Sequence, residues 1–559
     1  MNNGGNYAVH KPSAILTLLA GATKVAPWRA EQIFGDEDMQ MRWGKKVGMG
    51  GASLAVIAAL AAAAWTTPVA AQKAQDTMRF PVQNMEAGID SYLFPGTFHY
   101  IWAPSVYDNL LGFDPVKGKF VGQLAKSWSQ PNATTYEYEL RDDIKWQDGQ
   151  PLTADDVVYT IDYLIDPKVK LRNKANWTWI QSVEKLGPYK VRIVAKSPVP
   201  DGMMRMAEST YIFPKHVHGP LANKAEFGAR PVGTGPLKIT QFDTNTGIIA
   251  ERNPSYVPTT AKAAAGIGKV VAVPMNDTGT IVAAMLVGQA DVAVELAPDQ
   301  VAGLEATGRF EVSLGPPGLA HSFMGFPSAA VENVKALGDV RVRKAIAMAI
   351  DRRQQLIVQY GDRGKTLKPM EALCFKAQLG CGYNKLMPAY DPAGAKKLLA
   401  EAGYPDGFDV TISTYPINMD EVTAVAGMLR AVGIRASVRA HPFSQRDLLL
   451  RQGKVEIGYY GWSGGAIFDV STTISRHFLR DEYADPVLKK MAAETYTIMD
   501  DAERRKAVAK VLDYATENAY IFPMIPLRPP ITHIKDLQIL AKEDLRAVYQ
   551  PAMHEFGWK

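Results

Sequence analysis

The residues whose types and spacing come nearest to a reaction centre are Gly461, Ser463 and Gly465, which spell G-x-S-x-G directly after an apolar run. That pattern marks the nucleophile elbow of serine hydrolases, where a sharp strand-to-helix turn exposes the seryl oxygen. Candidate partners follow in the order such enzymes use, Asp469 or Asp485 and then His533, so an exported serine hydrolase is the alternative function. Against it, the pentapeptide arises readily by chance, and no helix cap with an amphipathic run follows it. Fluorophosphonate labelling that is lost in Ser463→Ala would establish the hydrolase. His216-x-His218 is a second constellation, on a loop beside Pro214 and Gly219; two such histidines read as exposed rather than as a metal site. His321 is the better candidate for ligand contact, with a hydrogen-bonded structural role as its other reading. No acid pair has a spacing that singles it out for catalysis, and no metal or cofactor is expected.

The elements that must position these residues belong to a large globular chain. With 559 residues, 47% hydrophobic and 21% charged, the size prior gives roughly three core-forming units. Arg42, Lys45 and Lys46 precede an uncharged stretch from Val47 to Ala64, and Val69-Ala70-Ala71 closes it with a small-x-small pattern. This is the grammar of a signal peptide over residues 41–71, cleaved near Ala71; an uncleaved anchor is the competing reading. Residues 1–40 fit no signal-peptide grammar and read as a non-native or mis-started extension. Residues 1–71 hold six of the 62 cations and four of the 57 anions, so the remainder carries +3. Such a small excess, without Lys/Arg runs, argues against a nucleic-acid partner. Cys374 and Cys381 stand close together in a chain read as exported, which favours a local disulfide; two unpaired thiols are the alternative.

Short β-type runs alternate with capped amphipathic helices, the pattern of an α/β fold. Thr153 with Asp156 reads as a cap before the apolar face of Val157, Val158, Ile161 and Leu164. Asp391-Pro392 opens a helix that stops at Gly403, and a third runs from about Asp339 to Ile350. Strands are expected at 136–140, 191–194, 408–413 and 455–460. Gly233 to Pro236 reads as a corner entering a strand at Leu237–Phe242 rather than as a phosphate cradle, which would need a helix N-terminus.

Several stretches together resemble the peptide-type (family 5) extracellular solute-binding proteins of ABC importers, whose cargoes include peptides, nickel chelates, opines and sugars. They are Tyr107-Asp108-Asn109-Leu110-Leu111, Leu140 to Gly149 with Pro151 to Val158, Gly233 to Leu237, Arg252 to Tyr256, Asp339 to Arg352, and Tyr390-Asp391-Pro392 leading to Tyr404. The resemblance implies a two-lobed periplasmic binding protein fold (type II, peptide-binding-protein-like) with an extra inserted domain. The first lobe would comprise 72–110, 230–318 and 529–559, the insertion 111–229, and the second lobe 319–528. A periplasmic receptor that captures a peptide-like or other small solute by hinge closure is implied, working as a monomer with ABC permease subunits and catalysing nothing. Peptide-binding relatives carry "GW-x-x-D", whose acid pairs with the ligand's amino group; here Gly465 takes the acid's place after Gly461-Trp462, and Asp469 is the nearest substitute. The ligand-contacting set implied is Tyr460, Trp462, Ser463, Gly465, Asp469, His321, Phe323 and Met85.

Overall fold

The computed structural model describes residues 73–94, 97–115, 117–315, 320–462, 467–479, 485–540 and 550–559; all lie in one compact unit, Thr67–Lys559. The signal segment, Ser463 and Gly465 fall outside the described residues. Among the described residues no helix is long and apolar enough to cross a membrane.

Within this unit, sheets and helices form two α/β halves. In the first half, the strand Thr77–Val82 runs parallel to Lys269–Pro274, and Gly247–Arg252 and Leu237–Asp243 extend the sheet antiparallel. A second sheet orders Val292–Val294, Pro530–Ile534 and Phe310–Leu314, so a strand late in the chain returns to sit between two earlier ones. Residues 125–195 build a separate antiparallel sheet. Its strand Thr135–Leu140 buries Tyr136, Tyr138 and Leu140 in alternation, the signature of one covered face. The helix Ala154–Ile165 covers the neighbouring strand Ile180–Gly187. Its start is fixed locally by a capping box between Thr153 and Asp156, an arrangement worth about 1 kcal/mol. One continuous apolar core runs through all of this, from Met78 to Phe310 and again from Ile531 to Phe556.

The second half is a five-stranded sheet ordered 435–440, 409–414, 457–462, 321–325 and 521–526. The first three strands are parallel and the last two antiparallel to their neighbours. All five residues of His321–Gly325 are buried, as expected for a strand with both sheet faces covered. Met324, Tyr459 and Phe522 join one core with the helices Val340–Met348, Pro392–Glu401 and Met419–Ala431. Their chain neighbours Phe323, Tyr460 and Ile521 join another with Pro486–Glu494 and Asp501–Glu517. Alternation along the strands puts these two cores on opposite faces.

The expected corner at Gly233 is a close backbone approach. A Cβ on Gly233 would lie 1.8 Å from the Val106 carbonyl oxygen. The neighbouring Thr234 hydroxyl donates to Asp108 at 2.7 Å, and Asp108 also takes the Lys262 ammonium at 2.6 Å and the Gln123 amide at 2.7 Å. The Tyr107–Leu111 and Gly233–Leu237 stretches thus form one buried polar knot. His218 corrects the reading of an exposed histidine pair. It is fully buried in the short helix Lys215–His218, with Nδ1 2.5 Å from the Tyr159 hydroxyl, whereas His216 is 2.6 Å from Asp148. Hydrophobic rings around His218 explain the difference, since Tyr163, Phe213 and Phe227 enclose it.

Candidate functional site

The two halves are joined where the strand Phe310–Leu314 leads on to His321–Gly325 and where Ile521–Pro526 leads back to Pro530–Ile534. These connections lie side by side: Leu527 N donates to Ala320 O at 2.9 Å, and Gly315 N to Pro529 O at 2.9 Å. The Tyr360 hydroxyl fastens the return, donating to Pro526 O and accepting from Arg528 N, both at 2.9 Å. A paired double crossover of this kind lets the halves rotate about a short axis while keeping register.

Trp462 stands at the C-terminal end of its strand, directly opposite His321 in register. In open α/β sheets this end of the strands is where ligands bind. Trp462 is partly buried, its ring lies 6.0 Å from His477 with the Arg476 guanidinium 5.8 Å away, and its indole N–H has no hydrogen-bond partner among the described residues. Arg476 and His477 are brought there by a π-type turn, Ser475–Leu479, a feature frequent at functional sites. His321 is buried, with the Phe375 ring 6.5 Å away.

The other expected contacts lie elsewhere. Phe323 and Tyr460 are register partners, 1% and 0% exposed, and face the helical core. Phe323 packs on His477 at 4.7 Å, and the Tyr460 hydroxyl is 3.0 Å from His441 Nε2. Met85 follows the first strand and packs on the first-half core. Asp469 is fully buried and occupied: Arg504 donates to both its oxygens at 3.0 and 2.6 Å, and Ser471 N to one of them at 2.8 Å. Burial drives the Asp469 pKa up; Arg504 opposes this without cancelling it. Cys374 and Cys381 are joined by a disulfide.

The triad geometry of a hydrolase does not form among the described residues. His533 sits in a strand with its ring nitrogens toward Ser313 Oγ and the Ile534 carbonyl. Asp485 caps the helix Pro486–Glu494 and accepts from the Tyr514 and Tyr520 hydroxyls, while Asp469 belongs to Arg504.

Sequence reasoning missed the seam where the helix Gly202–Glu208 meets residues 467–471. Ser471 Oγ donates to Asp201 at 2.5 Å, Phe468 N to Glu208 at 2.5 Å, and Arg205 to Asp201 at 2.6 Å. Burial opposes the charge on Asp201, yet Arg205, Ser471 and Arg504 together outweigh it and hold the carboxyl below its ordinary value. The spacing of Asp201 and Arg205 was a legible local signal for a helical ion pair; their partners 270 residues away were not.

Halves built on α/β sheets, a double crossover and a strand end facing the junction define a two-lobed binding protein. The chain matches the model of bacterial extracellular solute-binding proteins, family 5 (middle), over residues 119–484, and it belongs to that family. It is 25% identical over 472 residues to the glutathione-binding protein GsiB of Escherichia coli O1:K1 / APEC, covering 80% of this chain and 88% of that one. Over 515 residues it is 25% identical to the periplasmic oligopeptide-binding protein OppA of Salmonella typhimurium, covering 84% and 91%. The structure of NikA from Brucella suis in complex with Fe(III)-EDTA superposes with a TM-score of 0.75 at 20% identity, covering 86% of this chain and all of that one. The chain is accordingly a non-enzymatic solute-binding receptor of an ABC importer.

Proposed function

We propose that this receptor works in the periplasm as a monomer after cleavage near Ala71, and that it captures a peptide-like solute without pairing an acid with the solute's amino group at the end of the Ile457–Trp462 strand. Residues 72–110, 230–318 and 529–559 would form the first lobe, 111–229 the inserted domain and 319–528 the second lobe, with Trp462 and His321 on the cleft wall. No nucleic-acid partner is involved. The observation that carries the reading is the state of Asp469: with Gly465 in the acid's place, Asp469 is the nearest carboxylate in the sequence, and its oxygens are taken by Arg504 and Ser471 N. A second full partner would have to displace a buried ion pair, which costs several kcal/mol. Trp462 supplies instead a broad apolar face and an unused N–H donor.

Calorimetric titration with glutathione and with oligopeptides, each with a free and an acetylated amino terminus, tests this. Binding that changes by less than about threefold on acetylation supports the proposal. A loss of roughly a hundredfold overturns it, since that is what removal of a charged anchor produces.

A further inference from the structure

The seam between the helix Gly202–Glu208 and residues 467–471 joins two stretches far apart in the chain. Its apolar part is a small cluster of its own, with Met204, Ile467 and Phe468 buried and Phe113, Phe120 and Phe375 beside them; Phe120 packs on the first-half core as well. Its polar part crosses between distant stretches of chain through the Ser471–Asp201 and Phe468–Glu208 hydrogen bonds. The Tyr496 hydroxyl fastens the same turn by donating to Ser471 O. Around these bonds, Asp201 Oδ1, Arg205 Nε, Arg504 Nε and Gln378 Nε2 are buried without a hydrogen-bond partner among the described residues. Water could reach Asp201 on separation, so opening recovers polar solvation that closure gives up. A small apolar patch, two cross-bonds and buried polar atoms left without hydrogen bonds describe a contact made to be broken.

We infer that this seam is a proton-dependent latch of the receptor: when the lobes close on solute, Glu208 takes a proton from solvent as it docks on the Phe468 amide, so closure and proton uptake are one event. The inference rests on the reading of the chain as a receptor that closes by hinge rotation. Burial of Glu208 against the second half pushes its carboxyl up to about 8, the Phe468 amide partly offsetting this and the Asp469 charge adding to it. The other groups around it do not neutralise it. On its own helix, Arg205 is bound to Asp201. Across the seam, Arg504 is bound to Asp469, and Tyr496 turns to Ser471. On the strand packed beneath, Asp114 pairs with Lys117, and Tyr211 behind it is held neutral by burial. Among the described residues Glu208 therefore has no cation of its own. Open, it would titrate near the ordinary carboxylate value, so raising the pH deprotonates the open form first and pulls the equilibrium toward it.

The test is a distance measurement by double electron–electron resonance on full-length receptor, with nitroxides at the exposed positions Ala133→Cys and Ala393→Cys. The described cysteines are bridged to each other, so the introduced ones label cleanly. Without solute, the closed-to-open ratio is expected to fall roughly tenfold or more between about pH 6 and about pH 9. Glu208→Gln should flatten that dependence, and Ser471→Ala should lower the closed fraction at every pH with the slope kept. A wild-type ratio that does not move with pH overturns the inference, as does a Glu208→Gln slope equal to wild type or the absence of any closed population. Because no solute is used, failure to bind glutathione or peptides would count against the proposed cargo and leave this result readable.

Discussion

Replacing Asp469 by alanine isolates the buried ion pair beside the cleft and decides between two roles for this carboxylate. Arg504 is 4% exposed and donates two hydrogen bonds to Asp469; among the described residues its other ion-pair contact is Asp501 at 3.6 Å, whose side chain is 47% exposed. Removing one partner of such a pair costs about 3–5 kcal/mol because the remaining charge stays buried. Partial compensation by Asp501 puts the expected loss at the lower end, about 3 kcal/mol, or a fall in Tm of roughly 10 °C for a lobe of this size. Asp469→Ala with Arg504→Met should recover most of that loss, because an apolar pair of similar volume carries no desolvation penalty. Differential scanning calorimetry of wild type, both single variants and the double variant gives the coupling directly. A carboxylate reserved for a solute amine would give the opposite sign, with Asp469→Ala neutral or stabilising. An Asp469→Ala variant that melts with the wild type refutes the structural role.

Asp108→Ala should destabilise the first half by about 3 kcal/mol or more, since it strands the Lys262 ammonium, whose side chain is 9% exposed, and the Thr234 hydroxyl; chemical denaturation followed by circular dichroism reads it. Glu421 is buried and pushed up to about 7 by burial, against the Tyr459 and Asn418 hydrogen bonds. The folded form then holds a proton that the unfolded chain has lost, so this group's contribution declines as pH rises from about 4.5 to about 7, by up to about 3 kcal/mol. Glu421→Gln should lessen that decline in a series of melts across the range. Removing the Cys374–Cys381 bridge, which closes a loop with a separation of seven residues, should cost about 2 kcal/mol, measured as a shift in urea midpoint under oxidising conditions.

What the sequence made legible was local. Thr153 with Asp156, Asp391 with Pro392, and Asp339 each announce a helix start through bonds that span two or three residues, and all three caps stand where expected. The strands at Thr135–Leu140, Lys190–Ala195, Asp409–Thr414 and Ile457–Trp462 follow from alternation or continuous apolarity. The corner at Gly233 was legible as a turn, but the Val106 carbonyl that forbids a side chain there was not. Side-chain direction at the strand ends was the main gap. Tyr460 and Trp462 are two residues apart, yet the first is sealed in the core and the second is only partly buried, because the strand has reached its end. Asp469 was placed near the solute by sequence proximity to Trp462, while its partner Arg504 lies 35 residues on and could be found only in three dimensions. The surroundings of His218 and Glu208 were invisible for the same reason: Tyr159 and Tyr163 pack on His218 from another helix, and the Phe468 amide that Glu208 accepts from lies 260 residues away.

The central claim is that this chain holds a small solute between its lobes at the Trp462 end of the sheet. Native mass spectrometry of the receptor recovered from the periplasm without denaturation tests it most directly. The account predicts one small-molecule adduct per chain, released by denaturation and lost in Trp462→Ala. Receptor that carries no adduct, and that shows no thermal shift with peptides, opines, sugars or metal chelates, would contradict it.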